Sequence, residues 1–245
     1  MIKSEIQLVR SLADKRAREE YGLFLAEGDK LITELITSDF NVKKIYSLEG
    51  HFQGDNVEWV APSEMSRISQ LKSANSSVAV VEIPRYTLDI ESLSGELTLL
   101  LDGVQNPGNL GTIIRLADWF GIKNIICSPT SADCYNPKVV QATMGAILRV
   151  RCFYCDCVEF LTKVQPLDIP IYGTMLDGEN IYNAQLSNTG IIVMGSEGQG
   201  VSPQVQALLS HRLLIPPFPT DRCGSESLNV SVATSIICSE FRRRL

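Results

Sequence analysis

The sequence predicts an α/β protein of two successive domains, and three observations support this prediction. Apolar segments of strand length alternate with segments of helical periodicity along most of the 245 residues. A polar stretch at residues 85–96, broken by Gly95, interrupts the alternation and is interpreted as a linker. The length and a hydrophobic content of 44% fit one large or two small domains with an ample core. The expected domains are residues 1–84 and residues 97–245.

The smaller first domain is predicted to begin with an amphipathic helix over residues 1–18, because Ile2, Ile6, Val9 and Leu12 recur at helical spacing. The following segments are expected as strands at 22–28, 42–48, 57–62 and 76–84 and as helices at 29–38 and 62–71. Ser63 is the expected N-cap of the second of these helices. Strands that alternate with helices predict a largely parallel sheet.

The second domain shows the same alternation and is predicted to be a second α/β domain. Strands are expected at 97–104, 123–129, 150–156, 169–176, 190–195 and 211–218, and helices at 111–121, 136–149 and from Leu228 onward. Gly121 is the expected C-cap of the first of these helices.

The charge distribution leaves two readings open. A formal net charge of −6 argues against nucleic-acid binding on bulk charge alone. The cations are clustered, however: Lys3, Arg10, Lys15, Arg16 and Arg18 near the start, Arg149 and Arg151 around one predicted strand, and Arg242, Arg243 and Arg244 near the end. Each cluster could bind phosphate or could be a solvated helix face.

Several classes of protein are excluded by composition. No apolar run approaches the roughly 20 residues of a membrane span, and the first residues contain no signal-peptide core, so a cytoplasmic protein is expected. Seven Cys without the spacing of a disulfide scaffold predict reduced thiols. Alternation along a strand would put Cys155 and Cys157 on one face and Cys152 on the other, so no metal site is expected there.

Two polar loops of the second domain each follow a predicted strand. In residues 102–115, Pro107 and Gly108 force a tight turn, and Asn109 leads into the helix that contains Arg115. In residues 194–203, three glycines allow a ligand to approach the backbone, but their spacing does not fit the dinucleotide fingerprint. Glu197 in this loop would repel a phosphate and would suit a cationic partner, such as an arginine or a sulfonium.

A third polar loop leads into the final helix, where Ser225, Glu226 and Ser227 could supply capping oxygens. Ser227 is therefore expected to be an N-cap, whereas Asn229 beside an apolar run is expected to be a buried amide in need of partners. In open α/β sheets, ligands bind beyond the carboxyl ends of the strands. We therefore expect these three loops to meet at that edge.

The three loops resemble the three motifs of the SpoU (TrmH-like) RNA 2′-O-methyltransferases of the SPOUT class. Residues 106–115, NPGNLGTIIR, fit the pattern N-P-x-N-x-G-x-I-x-R, residues 195–200 fit G-x-E-x-x-G, and residues 227–231, SLNVS, match the end of the third motif. The segment RAREEYGLFLAEGDKLITELI also resembles the start of the L30e-like substrate-binding domain found in ribosomal RNA members. Together the resemblance covers nearly the whole chain.

This resemblance implies a parallel-sheet SPOUT domain with a deep trefoil knot, a homodimer that packs through the knots, and S-adenosyl-L-methionine as cofactor. Carried over by position, the cofactor contacts would be Thr174, Met194, Gly195, Gly200, Ile215 and Leu228. The catalytic positions would be Asn109, Arg115, Glu197, Ser227 and Asn229. The implied reaction is methyl transfer to a ribose 2′-OH of RNA, with no metal and no membrane.

The role of Arg115 has two interpretations. The resemblance implies a base, but a guanidinium keeps its proton up to about pH 12, and a nearby carboxylate or phosphate strengthens that hold. Orientation of the phosphate and the hydroxyl is the favoured role, and the role as base stays open. No Ser–His or Cys–His pair is available, because His51 and His211 lie outside the three motifs.

The third motif departs from the family pattern. Ile215-Pro216-Pro217 is followed by a loop several residues longer than usual, which bears on cofactor contacts and substrate choice. The L30e-like domain favours large-subunit ribosomal RNA as the substrate, with transfer RNA as the alternative. A catalytically silent RNA-binding protein on this fold and an unrelated nucleotide-binding α/β enzyme are the competing hypotheses.

Overall fold

The protein consists of two compact units in a computed structural model that describes residues 1–71, 73–219 and 227–243. The first unit contains Met1–Arg85 together with Asp133–Leu148, and the second contains Tyr86–Ala132 and the described residues from Arg149 onward. A segment from the middle of the chain thus packs with the N-terminal one. Periodicity could not predict this, because it reports the type of an element and not the unit that the element joins.

Within residues 1–71 and 73–85, the first unit contains four helices and four strands. They are α1 (Lys3–Ser11), α2 (Lys15–Tyr21), β1 (Leu23–Glu27), α3 (Asp29–Ile36), β2 (Val42–Ser47), β3 (Val57–Trp59), α4 (Pro62–Ile68) and β4 (Ser77–Glu82). The strand order is β1-β4-β2-β3. Strand β4 runs antiparallel to both of its neighbours, and only β2 and β3 are parallel. The expectation of a largely parallel sheet in this unit is therefore wrong, because β4 inserts between β1 and β2.

The described residues after 85 form the second sheet and five further helices. In order these are β5 (Leu97–Asp102), α5 (Pro107–Trp119), β6 (Asn124–Cys127), α6 (Pro137–Thr143), β7 (Arg151–Tyr154), α7 (Cys157–Val164), β8 (Ile171–Asn180), β9 (Gly190–Gly195), α8 (Pro203–Gln206), β10 (His211–Leu214) and α9 (Val230–Arg243). Helix α6 belongs to the first unit. The sheet of the second unit has the order β10-β8-β9-β5-β6-β7, and each neighbouring pair is parallel. The predicted α/β class with a parallel sheet is confirmed.

Local capping chemistry explains where the observed helices differ from the predicted ones. The single helix expected over residues 1–18 is two helices, because the carboxylate of Asp14 accepts a hydrogen bond from the backbone N–H of Arg16 and starts α2. Helix α4 is capped at Ala61 and not at Ser63, since Pro62 occupies the first helical position and Glu64 accepts a bond from the Ala61 N–H. Gly121 follows α5 in the left-handed conformation, which is the usual place of a terminating glycine.

The cysteine-rich segment is not a continuous strand. Strand β7 ends at Tyr154, and Asp156 caps α7, so Cys157 is the first residue of a helix that periodicity did not predict. The alternation argument for Cys152, Cys155 and Cys157 therefore does not apply. Burial raises the pKa of Cys157 to about 12, which keeps this thiol protonated at neutral pH. In the described part of the chain, no group of three His, Cys, Asp or Glu side chains could hold a metal ion.

Each unit has its own apolar core. In the first unit, Ile6 and Val9 of α1 and Leu12 directly after it pack together with Leu25 and Val80 of the sheet. In the second unit, α7 and α8 cover one face of the sheet around Leu100, Ile126 and Val193. Among the helices of residues 1–71, 73–219 and 227–243, none has the length and apolarity to cross a membrane.

A buried arginine stabilises the first unit. Arg18 is only 1% exposed, and its guanidinium donates to Asp133 at 2.6 and 2.9 Å and to the carbonyls of Leu12 and Ala13 at 2.8 Å. It therefore joins the corner between α1 and α2 to the segment that precedes α6. Removal of one partner of a buried pair leaves the other charge without compensation.

We predict that Arg18→Ala lowers the free energy of unfolding of the first unit by about 3–5 kcal/mol. Lys15→Ala is the matched control, because Lys15 forms an exposed pair with Glu19 whose loss should cost about 0.5 kcal/mol or less. Urea unfolding followed by Trp59 fluorescence in a Trp119→Phe background measures both values. Equal unfolding midpoints for the two variants would contradict the structural role of Arg18.

Candidate active site

The first two loops lie side by side because they leave adjacent central strands. Asp102 at the end of β5 is paired with Gly195 at the end of β9. The carboxylate of Asp102 also accepts a hydrogen bond of 2.7 Å from the backbone N–H of Ser202, near the far end of the second loop. The two loops are thus fixed to each other at the carboxyl edge of the sheet.

The first loop places Asn109 in the first turn of α5. Asn106 is the N-cap, and its side-chain oxygen accepts bonds from the N–H groups of Gly108 at 2.8 Å and Asn109 at 3.1 Å. Pro107 occupies the first helical position, where its missing N–H costs nothing. The side chain of Asn109 therefore projects from a rigid helix start rather than from a mobile loop.

The second loop is a tight reversal that presents Glu197. Ser196 and Gly200 form a two-way backbone bridge, with N···O distances of 3.1 and 2.9 Å. A side chain at Gly195 would overlap the backbone of Gly200 and Val201, so only glycine lets the loop fold back onto the end of β9. Glu197 is exposed on this reversal.

The third loop ends in an asparagine cap. The side-chain oxygen of Asn229 accepts bonds from the N–H of Ser231 at 3.0 Å, the N–H of Val232 at 3.4 Å and the hydroxyl of Ser231 at 2.7 Å. The N-cap of α9 is therefore Asn229 and not Ser227. Asn229 is also exposed rather than buried. Both expectations for this segment are corrected, because the cap lies two residues further along the chain.

Hydrogen bonds join one side chain from each loop. The Nδ2 group of Asn229 donates to Oδ1 of Asn109 at 3.1 Å, and Nδ2 of Asn109 donates to the carboxylate of Glu197. The donor and acceptor roles in these hydrogen bonds are fixed. The side-chain oxygen of Asn229 already accepts hydrogen bonds from the start of α9, so its amide nitrogen must point away from the helix. We call Asn229, Asn109 and Glu197 the amide chain. The three loops thus meet at the carboxyl edge, as the topology of open α/β sheets suggested.

Arg115 and Ser227 are not part of the amide chain. Arg115 lies on the exposed face of α5, and its guanidinium has no hydrogen-bond or ion-pair partner within residues 1–71, 73–219 and 227–243. Ser227 is exposed two residues before the cap of α9. The positive charge of Arg115 therefore remains available to an anionic ligand.

The positions assigned to cofactor contact follow the ends of three neighbouring parallel strands. Thr174 follows the part of β8 that pairs with β9, and its hydroxyl donates to the carbonyl of Val193 at 3.1 Å. Met194 is buried in β9 just before Gly195, and Ile215 directly follows β10. Gly200 closes the second loop. Most of the altered loop of the third motif, residues 220–226, lies outside the described residues.

The chemical character of this edge fits a cofactor that is both apolar and cationic. Leu228 is 48% exposed, and Leu176, in the segment that loops out between the two paired parts of β8, is 70% exposed. Such apolar surface can cover a planar ring. The carboxylate of Glu197 supplies negative charge nearby. These are the properties that an adenine ring and a sulfonium would need.

Three supporting residues were missed by sequence reasoning. Ser231 donates its hydroxyl to Asn229, Asn106 caps α5, and Asp102 holds the second loop. The pair Asn106-Pro107 is a recognisable helix start that could have been identified from the sequence. Ser231 and Asp102 act through tertiary contacts and had no local signal.

Comparisons with known proteins give matches to both parts of the chain. The profile of the SpoU rRNA Methylase family matches residues 96–239, and that of the MRM3-like substrate binding domain matches residues 3–84. A 23S rRNA guanosine 2′-O-methyltransferase from Bacillus subtilis is 26% identical over 95% of this chain and 94% of its own length. A 23S rRNA guanosine 2′-O-methyltransferase from Neisseria meningitidis is 32% identical over 63% of this chain and 62% of its own length.

Two solved structures are similar over the whole chain. A Porphyromonas gingivalis protein assigned to the TrmH family of RNA methyltransferases is 38% identical, with a TM-score of 0.89, and the match covers 100% of this chain and 99% of that one. An rRNA methyltransferase from Sinorhizobium meliloti with bound S-adenosylmethionine is 26% identical, with a TM-score of 0.88 and coverage of 99% and 95%.

The cap of α9 generates a prediction about stability. Asn229→Ala should lower the free energy of unfolding by about 1 kcal/mol, because the first N–H groups of α9 lose their acceptor. Asn229→Asp is the matched control, since it keeps an acceptor oxygen and adds negative charge at a helix start. Denaturant unfolding of the two variants and the wild type measures the difference. A fully stable Asn229→Ala protein would show that the cap contributes nothing.

Proposed function

The chain belongs to the SpoU rRNA Methylase family, and from this premise we propose that it transfers a methyl group from S-adenosylmethionine to a ribose 2′-OH of RNA. Large-subunit ribosomal RNA is the proposed substrate. The observation that carries the proposal is the amide chain, because it joins the three motif loops at one edge of the parallel sheet. An unrelated nucleotide-binding enzyme would have no need of this particular junction.

Support for the substrate comes from the full-length relative. The Bacillus subtilis protein acts on a guanosine ribose of 23S rRNA, and the alignment covers both domains of this chain. The match of residues 3–84 to a substrate binding domain suggests that the first unit contributes to RNA recognition. We propose residues 1–84 as the RNA-binding domain, 85–96 as the linker and 97–245 as the transferase domain. A cytoplasmic location is also proposed, because the relative that matches over nearly the whole chain is a bacterial protein that acts on rRNA.

The proposed binding of the cofactor uses the backbone at the strand ends. S-adenosylmethionine supplies an electrophilic methyl group on a positively charged sulfur. Gly195 and Gly200 keep the second loop close to β9, and Leu228 and Ile215 would contribute apolar surface against the ring. Thr174 and Met194 lie at the adjacent strand ends, where the Thr174 hydroxyl donates to the carbonyl of Val193. The trefoil knot that the family resemblance implies stays a prediction.

The proposed role of the amide chain is positioning. Asn229 is held by the start of α9, Asn109 is held by Asn229, and Glu197 is held by Asn109. The carboxylate is thus kept in one orientation toward the positively charged sulfur, which it attracts. Fixed placement of the reacting groups can lower a barrier by several kcal/mol. Ser227 extends this polar edge beside Leu228.

Arg115 is proposed to orient the RNA and not to remove the proton. Its guanidinium is exposed and lacks a partner among the described residues, so it can form two parallel hydrogen bonds with a phosphate of the target nucleotide. This fixes the adjacent 2′-OH for in-line attack on the methyl group. As the new C–O bond forms, the bond between the sulfur and the methyl carbon breaks, the hydroxyl proton leaves to solvent, and neutral S-adenosylhomocysteine is released.

A homodimer is also proposed. Helices α5 and α9 pack beside each other, and each exposes a large apolar side chain: Trp119 of α5 is 83% exposed and Val232 of α9 is 47% exposed. Trp119 lies at the end of the helix pair where Arg242 contacts Phe120, and Val232 lies near the end where Asn229 contacts Asn109, so a partner that covers both would extend along the pair. Sedimentation equilibrium should therefore give about twice the chain mass of 27.0 kDa. A monomer at micromolar concentration would contradict the dimer.

The proposed reaction is tested with unmodified large-subunit rRNA and labelled S-adenosylmethionine. We expect 2′-O-methylnucleosides by mass spectrometry and no methylated bases. Arg115→Ala should bind cofactor with wild-type affinity in calorimetry but transfer methyl roughly 100-fold more slowly. Arg115→Lys should recover only part of the rate, because lysine lacks the fork geometry of arginine.

Lys163→Ala is the control, since it removes one exposed positive charge on α7, outside all three loops. Its transfer rate should match that of the wild type. Methylation of bases instead of ribose would refute the reaction, and full activity of Arg115→Ala would refute the assigned role of this residue.

A further inference from the structure

The five cations near the start of the chain differ in their partners and in their acidic neighbours. Arg18 is buried against Asp133, and Lys15 pairs with Glu19 at 3.7 Å. Arg16 is exposed and has no ion-pair partner among the described residues, but its helix α2 also presents the exposed acidic residues Glu19 and Glu20. Lys3 and Arg10 remain, both exposed and both without an ion-pair partner among the described residues.

Lys3 and Arg10 lie on one face of α1, which we call the α1 face. It consists of Lys3, Ser4, Gln7 and Arg10, and the last two follow Lys3 at helical spacings of four and seven residues. Each of these side chains is exposed, and none is acidic or apolar. The one acidic residue of the helix, Glu5, accepts a hydrogen bond of 3.0 Å from the Ile2 N–H and caps the helix start.

The α1 face is held rigidly. The opposite side of α1 places Ile6, Val9 and Leu12 in the core of the first unit, with at most 4% exposure. Beyond the end of the helix, the carbonyls of Leu12 and Ala13 are bound by the guanidinium of Arg18. The two free cations are therefore presented in a fixed orientation, with no competing carboxylate on the same face.

We propose that the α1 face binds the sugar–phosphate backbone of the substrate RNA, an inference that rests on the proposed function. Lys3 and Arg10 are about 10 Å apart along the helix axis, since each residue adds about 1.5 Å. Long cationic side chains at this spacing can contact separate phosphates of one strand, and Ser4 and Gln7 can donate to phosphate or ribose oxygens between them.

The composition of the α1 face favours RNA over a protein partner. Protein interfaces depend on apolar or aromatic side chains that become buried, and none of the four residues provides one. The formal net charge of the whole chain is −6, so an RNA would be repelled elsewhere unless a local basic surface attracted it. The α1 face is such a surface.

The test compares two double variants with the same change in net charge. Lys3→Gln with Arg10→Gln removes the two cations of the α1 face, whereas Lys15→Gln with Arg16→Gln removes two cations of α2, which also presents Glu19 and Glu20. Binding to a protein-free transcript of large-subunit rRNA is measured between about 50 and 200 mM salt. Cofactor affinity and circular dichroism are measured on each protein to establish that it is folded.

We expect the first variant to bind RNA roughly tenfold more weakly at low salt, with the slope of log affinity against log salt smaller by about 1.5, because two phosphate contacts are lost. The control should bind within about twofold of the wild type with an unchanged slope. An unchanged slope for the first variant, or an equal loss in both variants, would overturn the inference.

The outcome is separable from that of the proposed function. A wild-type protein that binds the transcript with the expected salt dependence but transfers no methyl group would refute the reaction and leave the α1 face supported. A wild-type protein that methylates ribose while the first variant keeps the wild-type half-saturating RNA concentration would refute the α1 face alone.

Discussion

The side-chain oxygen of Asn229 accepts hydrogen bonds from the first N–H groups of α9, and the orientation of the other side chains in the amide chain depends on these bonds. A helix start needs acceptors for its free N–H groups, and an asparagine oxygen meets that need. The same amide must then direct its nitrogen away from the helix, where Asn109 accepts it. Since the side-chain oxygen of Asn109 is engaged in this way, its amide nitrogen donates to the carboxylate of Glu197. Because Asn229 must cap α9, the orientation of the Glu197 carboxylate on a different loop is also fixed.

This arrangement depends on the parallel sheet that carries the loops. Because β5 and β9 are adjacent and parallel, their loops leave the sheet on the same edge although they are far apart in sequence. Gly195 allows the second loop to fold back onto its strand, and Asp102 holds the far side of that loop. The sheet therefore brings the loops close together, and the hydrogen bonds of the amide chain orient their side chains. Arg115 lies on the exposed face of α5 and can therefore bind the substrate.

Much of this site could be predicted from residue types and spacing. The motif residues Asn109, Glu197 and Asn229 lie in loops that follow predicted strands, and the rule for open α/β sheets brings such loops together. The exact cap of α9 could not be predicted, because Ser227 and Asn229 are both good capping residues and only the position of the first helical turn decides between them. The role of Ser231 could not be predicted either, because it depends on the position of the same helical turn. The role of Asp102 could not be predicted because its partner, Ser202, is distant in sequence.

The fold shows the same division. Strands β5 and β9 lie close to their predicted bounds, whereas α5 begins at Pro107, four residues before the predicted start. The placement of β4 between β1 and β2, and the packing of Asp133–Leu148 with the first unit, depend on long-range contacts that leave no periodic signal. Arg18 illustrates the point for charge: as one of five clustered cations it resembles a surface residue, yet it is bound by Asp133 in the interior.

The most direct test of the amide chain is the rate of methyl transfer by Asn229→Asp. This variant keeps an acceptor for the start of α9, but its second carboxylate oxygen cannot donate to Asn109. Asn109 must then turn its nitrogen toward residue 229 and its oxygen toward Glu197, which repels the carboxylate. If the amide chain positions the site, a folded Asn229→Asp protein should transfer methyl groups roughly 100-fold more slowly than the wild type. A transfer rate within about twofold of the wild type would contradict the account.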